Sequence, residues 1–338
     1  MKYGLLQTSS INIGDEIQCL AATRFIPKVD VYVHRENTKN FWYDEPVKVI
    51  MNHYWLQKKN TFPPSSSIEP LYVSFHLKYT LRNRSFLKGE VFDHFKKNEP
   101  IGCRDQGTAD FLQSAGINAY FSGCLTTTLL PNTKLKHKFF DDYILCVDVP
   151  EDVVETIKQR TEKKVLSISR HQNVCFNTED RFKLAKYTLF LYHNAYCVVT
   201  IALHAAIPST AFGTPVCVLE YEDKERSSRF DGLEGLFNWV KISDFINDEY
   251  SYDINNPPRN PEKYKEFAEP LAKRCERFTG YDSNASIFED DYNPIYDMAT
   301  IMRQNKDSEN KVLWFVKQSE LLKTFLLRFF KLKDRHMI

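Results

Sequence analysis

Short β-branched runs alternating with longer amphipathic segments constrain this chain more than any other feature of its sequence. "YGLLQ", "VDVYV", "VKVIM", "LYVSF" and "INAYF" read as strands, with "GDEIQCLAATRF" and "DQGTADFLQSAG" as helices among them. The alternation resumes at Tyr143. "YILCVDV", "KVLSIS", "YCVVT" and "VCVLE" are strand-like, while "PEDVVETIKQRT", "TEDRFKLAKYTLFLYHNA" and "PEKYKEFAEPLAKRCERF" have helical character. Strands that take turns with helices predict parallel α/β architecture. Two such series, with a break near residues 130–142, predict two Rossmann-like domains facing a central cleft. At 338 residues, two domains are also the default for length.

Local signals refine this outline. Gly116 is a helix stop, Thr178 a helix cap with Arg181 in the first turns, and Pro208 belongs in the first turn of its helix. "TFPPSSSIEP" and "DSNASIFEDDYNP" read as loops. The tail "KVLWFVKQSELLKTFLLRFFKLKDRHMI" is an amphipathic helix with a basic edge. It is expected to pack across the domain junction, with an anionic membrane face as the other reading.

Charge and cysteine usage narrow the classes. Forty-five basic and 44 acidic residues leave a net charge of +1, which gives no field for nucleic acid. None of the eight cysteines forms a C-x-x-C pair, and most lie in apolar runs; a zinc site or disulfide framework is not expected, and a reducing cytoplasm fits. The N-terminal apolar run is too short for a signal peptide, and no run is long enough to span a membrane.

Four candidate sites fall at the carboxyl ends of expected strands, where open α/β sheets bind ligands. "SSINIGDEIQ" offers a helix start with Gly14 and Asp15, suited equally to an anion and to a plain Asp15 N-cap, and it lacks a dinucleotide fingerprint. "PIGCRDQGT" offers Arg104 and a natural cap, Asp105; the next strand end, "FSGCLTTTL", offers Ser122 and three threonines suited to a sugar or phosphate. "SISRHQN" places Arg170 and His171 together. In "VVTIALHAAIPSTAFGTPVCVLE", small residues surround His204 at a helix start, where an imidazole can donate a proton.

Three blocks carry a family resemblance: "NIGDEIQCLAATRFIPKVDVYVHRE", "PIGCRDQGTADFLQSAGINAYFSGCLTTTL" and "VVTIALHAAIPSTAFGTPVCVL". Their combination and order resemble the polysaccharide pyruvyl transferase family, from residue 3 to about 220, and "SSRFDGLEGL" continues it weakly. The resemblance implies a GT-B-like fold, with residues 1–140 on the acceptor side, 141–305 on the donor side and 306–338 as the C-terminal helix. It implies transfer of a pyruvyl group from phosphoenolpyruvate, as co-substrate, to hydroxyls of a sugar in a surface polysaccharide or its lipid-linked precursor, forming a ketal. No metal or further cofactor is required by that chemistry. The implied location is cytoplasmic, with the tail as the candidate peripheral contact with the inner membrane face. By the same resemblance His204 is the general acid, and Asp15, Gln18, Arg104 and Ser122 line the acceptor side of the cleft.

One departure stands out. The family's late motif reads Arg-Leu-His, and here Ala202 precedes Leu203 and His204. The missing guanidinium is expected to hold the donor's phosphate or carboxylate, and a methyl group cannot replace it. Arg170, with His171 beside it, Arg226 and Arg229 are the candidate substitutes. A sugar-nucleotide glycosyltransferase and a non-catalytic glycan-binding relative are the competing readings, because fold alone does not fix the reaction.

Overall fold

The computed structural model describes residues 1–52, 54–55, 61–83, 85–136, 142–171, 177–220, 228–249 and 252–304. The C-terminal helix expected over 306–338 lies outside the described residues.

The chain opens with β1 (Lys2–Gln7), α1 (Gly14–Thr23) and β2 (Val31–His34). It continues through β3 (Val47–Met51), β4 (Tyr54–Trp55), β5 (Ile68–Tyr72) and β6 (His76–Leu77). Then come α2 (Glu90–Lys97), β7 (Ile101–Cys103), α3 (Gln106–Ser114) and β8 (Ala119–Phe121). Strands β2-β1-β3-β5 form one parallel sheet, and β7 pairs with β8 in parallel, joined to the end of β5 through a bridge between Phe75 and Cys103. Gly4 is required at the centre of β1, because a Cβ there would lie 2.9 Å from the side chains of both Val47 and Val49.

The second series is β9 (Tyr143–Val147), α4 (Glu151–Arg160), β10 (Lys164–Ile168), α5 (Thr178–Asn194), β11 (Cys197–Thr200), α6 (Leu203–Ala211), β12 (Val216–Glu220) and β13 (Asn238–Lys241). Its five strands make a parallel sheet in the order β10-β9-β11-β12-β13. Residues of β9, β11 and most of β12 are buried on both faces, as a parallel sheet covered by helices demands. Three further helices follow: α7 (Ile242–Asn247), α8 (Lys265–Thr279) and α9 (Pro294–Gln304).

The two sheets are tied together by helices. α1 packs on α5 and α6, and the buried turn at Leu125–Thr128 contacts α1, α6 and α8. After β13 the chain returns to the first sheet. Lys48 donates to the Phe278 carbonyl at 2.6 Å, Arg24 pairs with Asp282 at 2.8 Å, and Arg274 donates to the Pro100 carbonyl at 2.7 Å.

Several local expectations shift. The strand expected at "LYVSF" begins earlier, at Ile68. The cap of α5 is Asn177 rather than Thr178, its side chain accepting from the Asp180 N–H at 2.9 Å. Asp15 is not a cap: Ile13 holds that position without a side-chain bond, and Asp15 turns to Arg35. Pro208 falls inside α6, in its second turn, rather than in the first. Asp105 does cap α3, accepting from the Thr108 N–H at 2.9 Å, and Gly116 follows that helix at φ +82°.

Candidate functional site

Both sheets share a topological property. In each, the first strand of the series lies between the second and third, so the connections depart in opposite directions and leave a crevice at the strands' carboxyl ends. In the second sheet that crevice is a cavity of about 460 Å³. Its walls come from the residues after β9 (Asp148, Val149), after β10 (Ser169, Arg170, His171) and after β11 (Ile201, Ala202), with Leu203, His204, Glu151, Arg229 and Phe230.

Asp148 organises this cavity, and the sequence reading missed it. It sits at φ +54°, a left-handed conformation uncommon for a residue with a side chain. Its carboxylate accepts from the Arg170 N–H at 3.0 Å and from Ser169 Oγ at 2.9 Å, and it pairs with Arg170 Nε at 2.6 Å. These partners hold its pKa well below the usual carboxylate range despite burial. His171 Nδ1 lies 3.8 Å away, on a half-exposed side chain. The available signal was an acid placed directly after the "YILCV" run, at a strand's carboxyl end.

Arg170 therefore reaches the cavity with part of its charge already engaged. Its Nη1 also approaches Asn12 Oδ1 at 3.3 Å. Arg229 lines the same cavity, is exposed and makes no ion pair among the described residues. Arg226 lies outside the described residues. Ala202 is the N-cap of α6 and is buried; its N–H is taken by Thr200 Oγ1 at 2.9 Å, so a methyl group faces the anion-binding end of that helix. His204, the second residue of α6, is 9% exposed and lines the cavity.

The N-terminal half touches the residues of this wall without lining the cavity itself. The Ile13 N–H donates to the Arg170 carbonyl at 2.9 Å, and Asn12 and His171 form an antiparallel bridge. A Cβ on Gly14 would come within 2.8 Å of Arg170 Nη1 and 3.1 Å of His204 Cβ, so glycine lets α1 begin here without displacing those side chains.

The four residues expected on the acceptor side lie outside this cavity's lining and divide into two kinds. Asp15 is engaged with Arg35 at 3.1 Å and Ser10 Oγ at 2.7 Å, and Ser122 donates to the Cys103 carbonyl at 3.0 Å while accepting from the Ser74 N–H at 3.0 Å. Gln18 and Arg104 meet, with Arg104 Nη1 3.5 Å from Gln18 Oε1. Arg104 is buried and pairs with no carboxylate among the described residues; burial lowers its pKa, and the positive charge of Arg229 acts in the same direction. The threonines of "FSGCLTTTL" are turned inward: Thr127 and Thr128 donate to carbonyls of their own turn at 2.8 and 2.7 Å.

The family model for polysaccharide pyruvyl transferase matches residues 12–223, which hold α1, the Arg104 strand end and the crevice residues from Asp148 to His204, while Arg229 and Phe230 lie beyond it. The chain belongs to that family. Membership makes it a transferase by family, with a polysaccharide as the implied acceptor. No curated protein matches the chain. Among solved structures, a functionally uncharacterized protein of Klebsiella pneumoniae is 13% identical at a TM-score of 0.42, over 71% of this chain and 93% of that one. UDP-GlcNAc 2-epimerase of Methanocaldococcus jannaschii, in complex with UDP-GlcNAc and UDP, is 12% identical at a TM-score of 0.39, over 80% and 98%. Among the described residues no group of three His, Cys, Asp or Glu side chains is placed to hold a metal ion, and no helix is long and apolar enough to cross a membrane.

Proposed function

We propose that this chain transfers the three-carbon unit of phosphoenolpyruvate to two hydroxyls of one sugar, releasing phosphate and leaving a pyruvyl ketal. The observation that carries the reading is His204 at the wall of a cavity that Arg170 and Arg229 also line, Arg229 with no ion pair among the described residues. The donor is a polyanion, and Arg170 alone, drawn onto Asp148, is a weak substitute for an arginine at position 202. Arg229 supplies a guanidinium with no ion pair among the described residues on the donor side, and the first N–H groups of α6 add to it. The expected two-domain, GT-B-like arrangement is kept as part of this reading, with the donor held by the second sheet.

In the reaction His204 gives a proton to the methylene carbon while one sugar hydroxyl adds to the central carbon. The proton shed by that hydroxyl balances the one given up. The second hydroxyl then displaces phosphate from the same carbon, and its proton leaves with the departing group as hydrogen phosphate. Glu151, also in the lining, suits the hydroxyls of a ribose and keeps a sugar nucleotide as the competing donor.

Thermal midpoints with phosphoenolpyruvate and with a panel of sugar nucleotides decide between these. At a hundredfold excess over Kd, phosphoenolpyruvate should add about 2.7 kcal/mol of stability. Arg229→Ala should weaken that binding about tenfold, the equivalent of one charge-assisted bond. Stabilisation by a sugar nucleotide alone would transfer the chain to the glycosyltransferases, and silence from both would favour a binding role.

A further inference from the structure

Four buried polar atoms near the carboxyl ends of β3, β5 and β7 and on α1 have no hydrogen-bond partner among the described residues: Gln18 Nε2, Asn52 Oδ1, Ser74 Oγ and Arg104 Nε. The residues are 0%, 1%, 0% and 2% exposed, and an orphaned polar group of this kind destabilises a folded protein unless something answers it. They converge from different elements. Asn52 follows β3, Ser74 follows β5, Arg104 follows β7, and Gln18 lies on α1. Asn52 Nδ2 donates to the Gln18 carbonyl at 2.6 Å, and Gln18 Oε1 faces Arg104 Nη1. Ser74 is joined to the same end of the sheet through Ser122 Oγ and holds φ +55°.

The existing bonds fix what each atom offers. A carbonyl only accepts, so the amide nitrogen of Asn52 is identified and its Oδ1 remains an acceptor. A guanidinium only donates, so the oxygen of Gln18 faces it and Nε2 remains a donor. The cluster thus presents an acceptor, a neutral donor, a hydroxyl that does both, and one charged donor. An anion alone would leave Asn52 Oδ1 unanswered. A sugar hydroxyl donates and accepts at once and answers both amides.

We infer that Asn52, Ser74, Gln18 and Arg104 form the subsite for hydroxyls of the acceptor sugar, with Asn52 and Ser74 as its specificity-determining residues. This rests on the transfer reaction proposed above and locates its second substrate. The four atoms are closed off from bulk water here, so the sugar enters on local opening, and closure over it gives the orphaned groups their partners.

Ser74→Gly is the decisive variant. It removes a hydroxyl oxygen that accepts and donates nothing within the protein, and glycine adopts φ +55° more easily than serine. A structural role for Ser74 therefore predicts an unchanged or raised thermal midpoint and unchanged kinetics. The subsite predicts that same midpoint with the acceptor KM raised about fivefold and the phosphoenolpyruvate KM within about twofold of wild type. Gln18→Met should move the acceptor KM in the same direction. An acceptor KM unchanged in both variants overturns the inference. Should the chain show no pyruvyl transfer at all, saturation-transfer NMR with a panel of methyl hexopyranosides tests the subsite without a donor. Signal present in wild type and lost in Ser74→Gly supports it, and signal absent from wild type or equal in both defeats it.

Discussion

At position 202 a methyl group caps the helix that carries His204, and the Arg170 guanidinium in the same cavity is held by a carboxylate. Replacing Ala202 by arginine returns a charged donor to the mouth of α6. If phosphoenolpyruvate is the donor, Ala202→Arg should tighten its binding tenfold or more, as one charge-assisted bond is worth about 1.5–3 kcal/mol; isothermal titration reads this directly, and no gain would mean the crevice is shaped for another ligand. Arg170, His171 and His204 were legible as neighbours at strand ends because each follows, or lies near, an apolar run, and Arg229, named only as a substitute for the missing arginine, lines the same cavity. Asp148 and the pairing that diverts Arg170 were not legible. Their carboxylate and guanidinium belong to neighbouring parallel strands 22 residues apart, and only the register brings them to 2.6 Å. Asn52 and Ser74 were hidden for a different reason: an orphaned polar atom exists only once every possible partner has a position.

Element by element, the strands were the most readable part, since parallel sheets covered on both faces demand unbroken apolar runs. Helix starts were less so. At α5, Asn177 and Thr178 are both good caps, and nothing local to the sequence chooses between them. At α1 tertiary packing overrides local preference: Asp15 leaves the cap position unserved because buried Arg35 needs a counter-charge. That helix begins against Arg170 and His204, which gives Gly14 a use that a turn would not require. Gly14→Ala should raise helix propensity and yet lower donor affinity, by pushing on Arg170 Nη1 and on the His204 Cβ. A circular-dichroism spectrum of wild-type strength combined with a raised phosphoenolpyruvate KM is the expected result; unchanged kinetics would show that α1 does not position the donor side.

On the scale of the whole molecule, the halves are joined by charge as well as by apolar packing. Arg181 on α5 donates to Glu16 Oε1 on α1 at 2.6 and 2.7 Å and reaches the Ser10 carbonyl with the same nitrogen. Burial outweighs the attraction of Arg181 and raises the Glu16 pKa to about 7. Between pH 4.5 and 7 the folded chain keeps a proton that the unfolded chain releases, so this group's contribution to stability falls as pH rises through that window. His76 behaves oppositely. Burial and Arg104 lower its pKa to about 3, so stability falls as pH drops from 6.5 toward 3 and the unfolded chain takes up the proton. Urea unfolding of Glu16→Gln isolates the first effect: relative to wild type, the variant should gain up to about 3 kcal/mol between pH 5 and pH 8. A constant difference across that range would show that Glu16 stays ionised in the fold. The halves are also joined through main chain, at the Ile13 N–H and the Arg170 carbonyl. A backbone amide whose acceptor belongs to the other half exchanges its hydrogen for deuterium only when the halves part. Ile13 is thus a built-in reporter of how often this contact between the halves breaks.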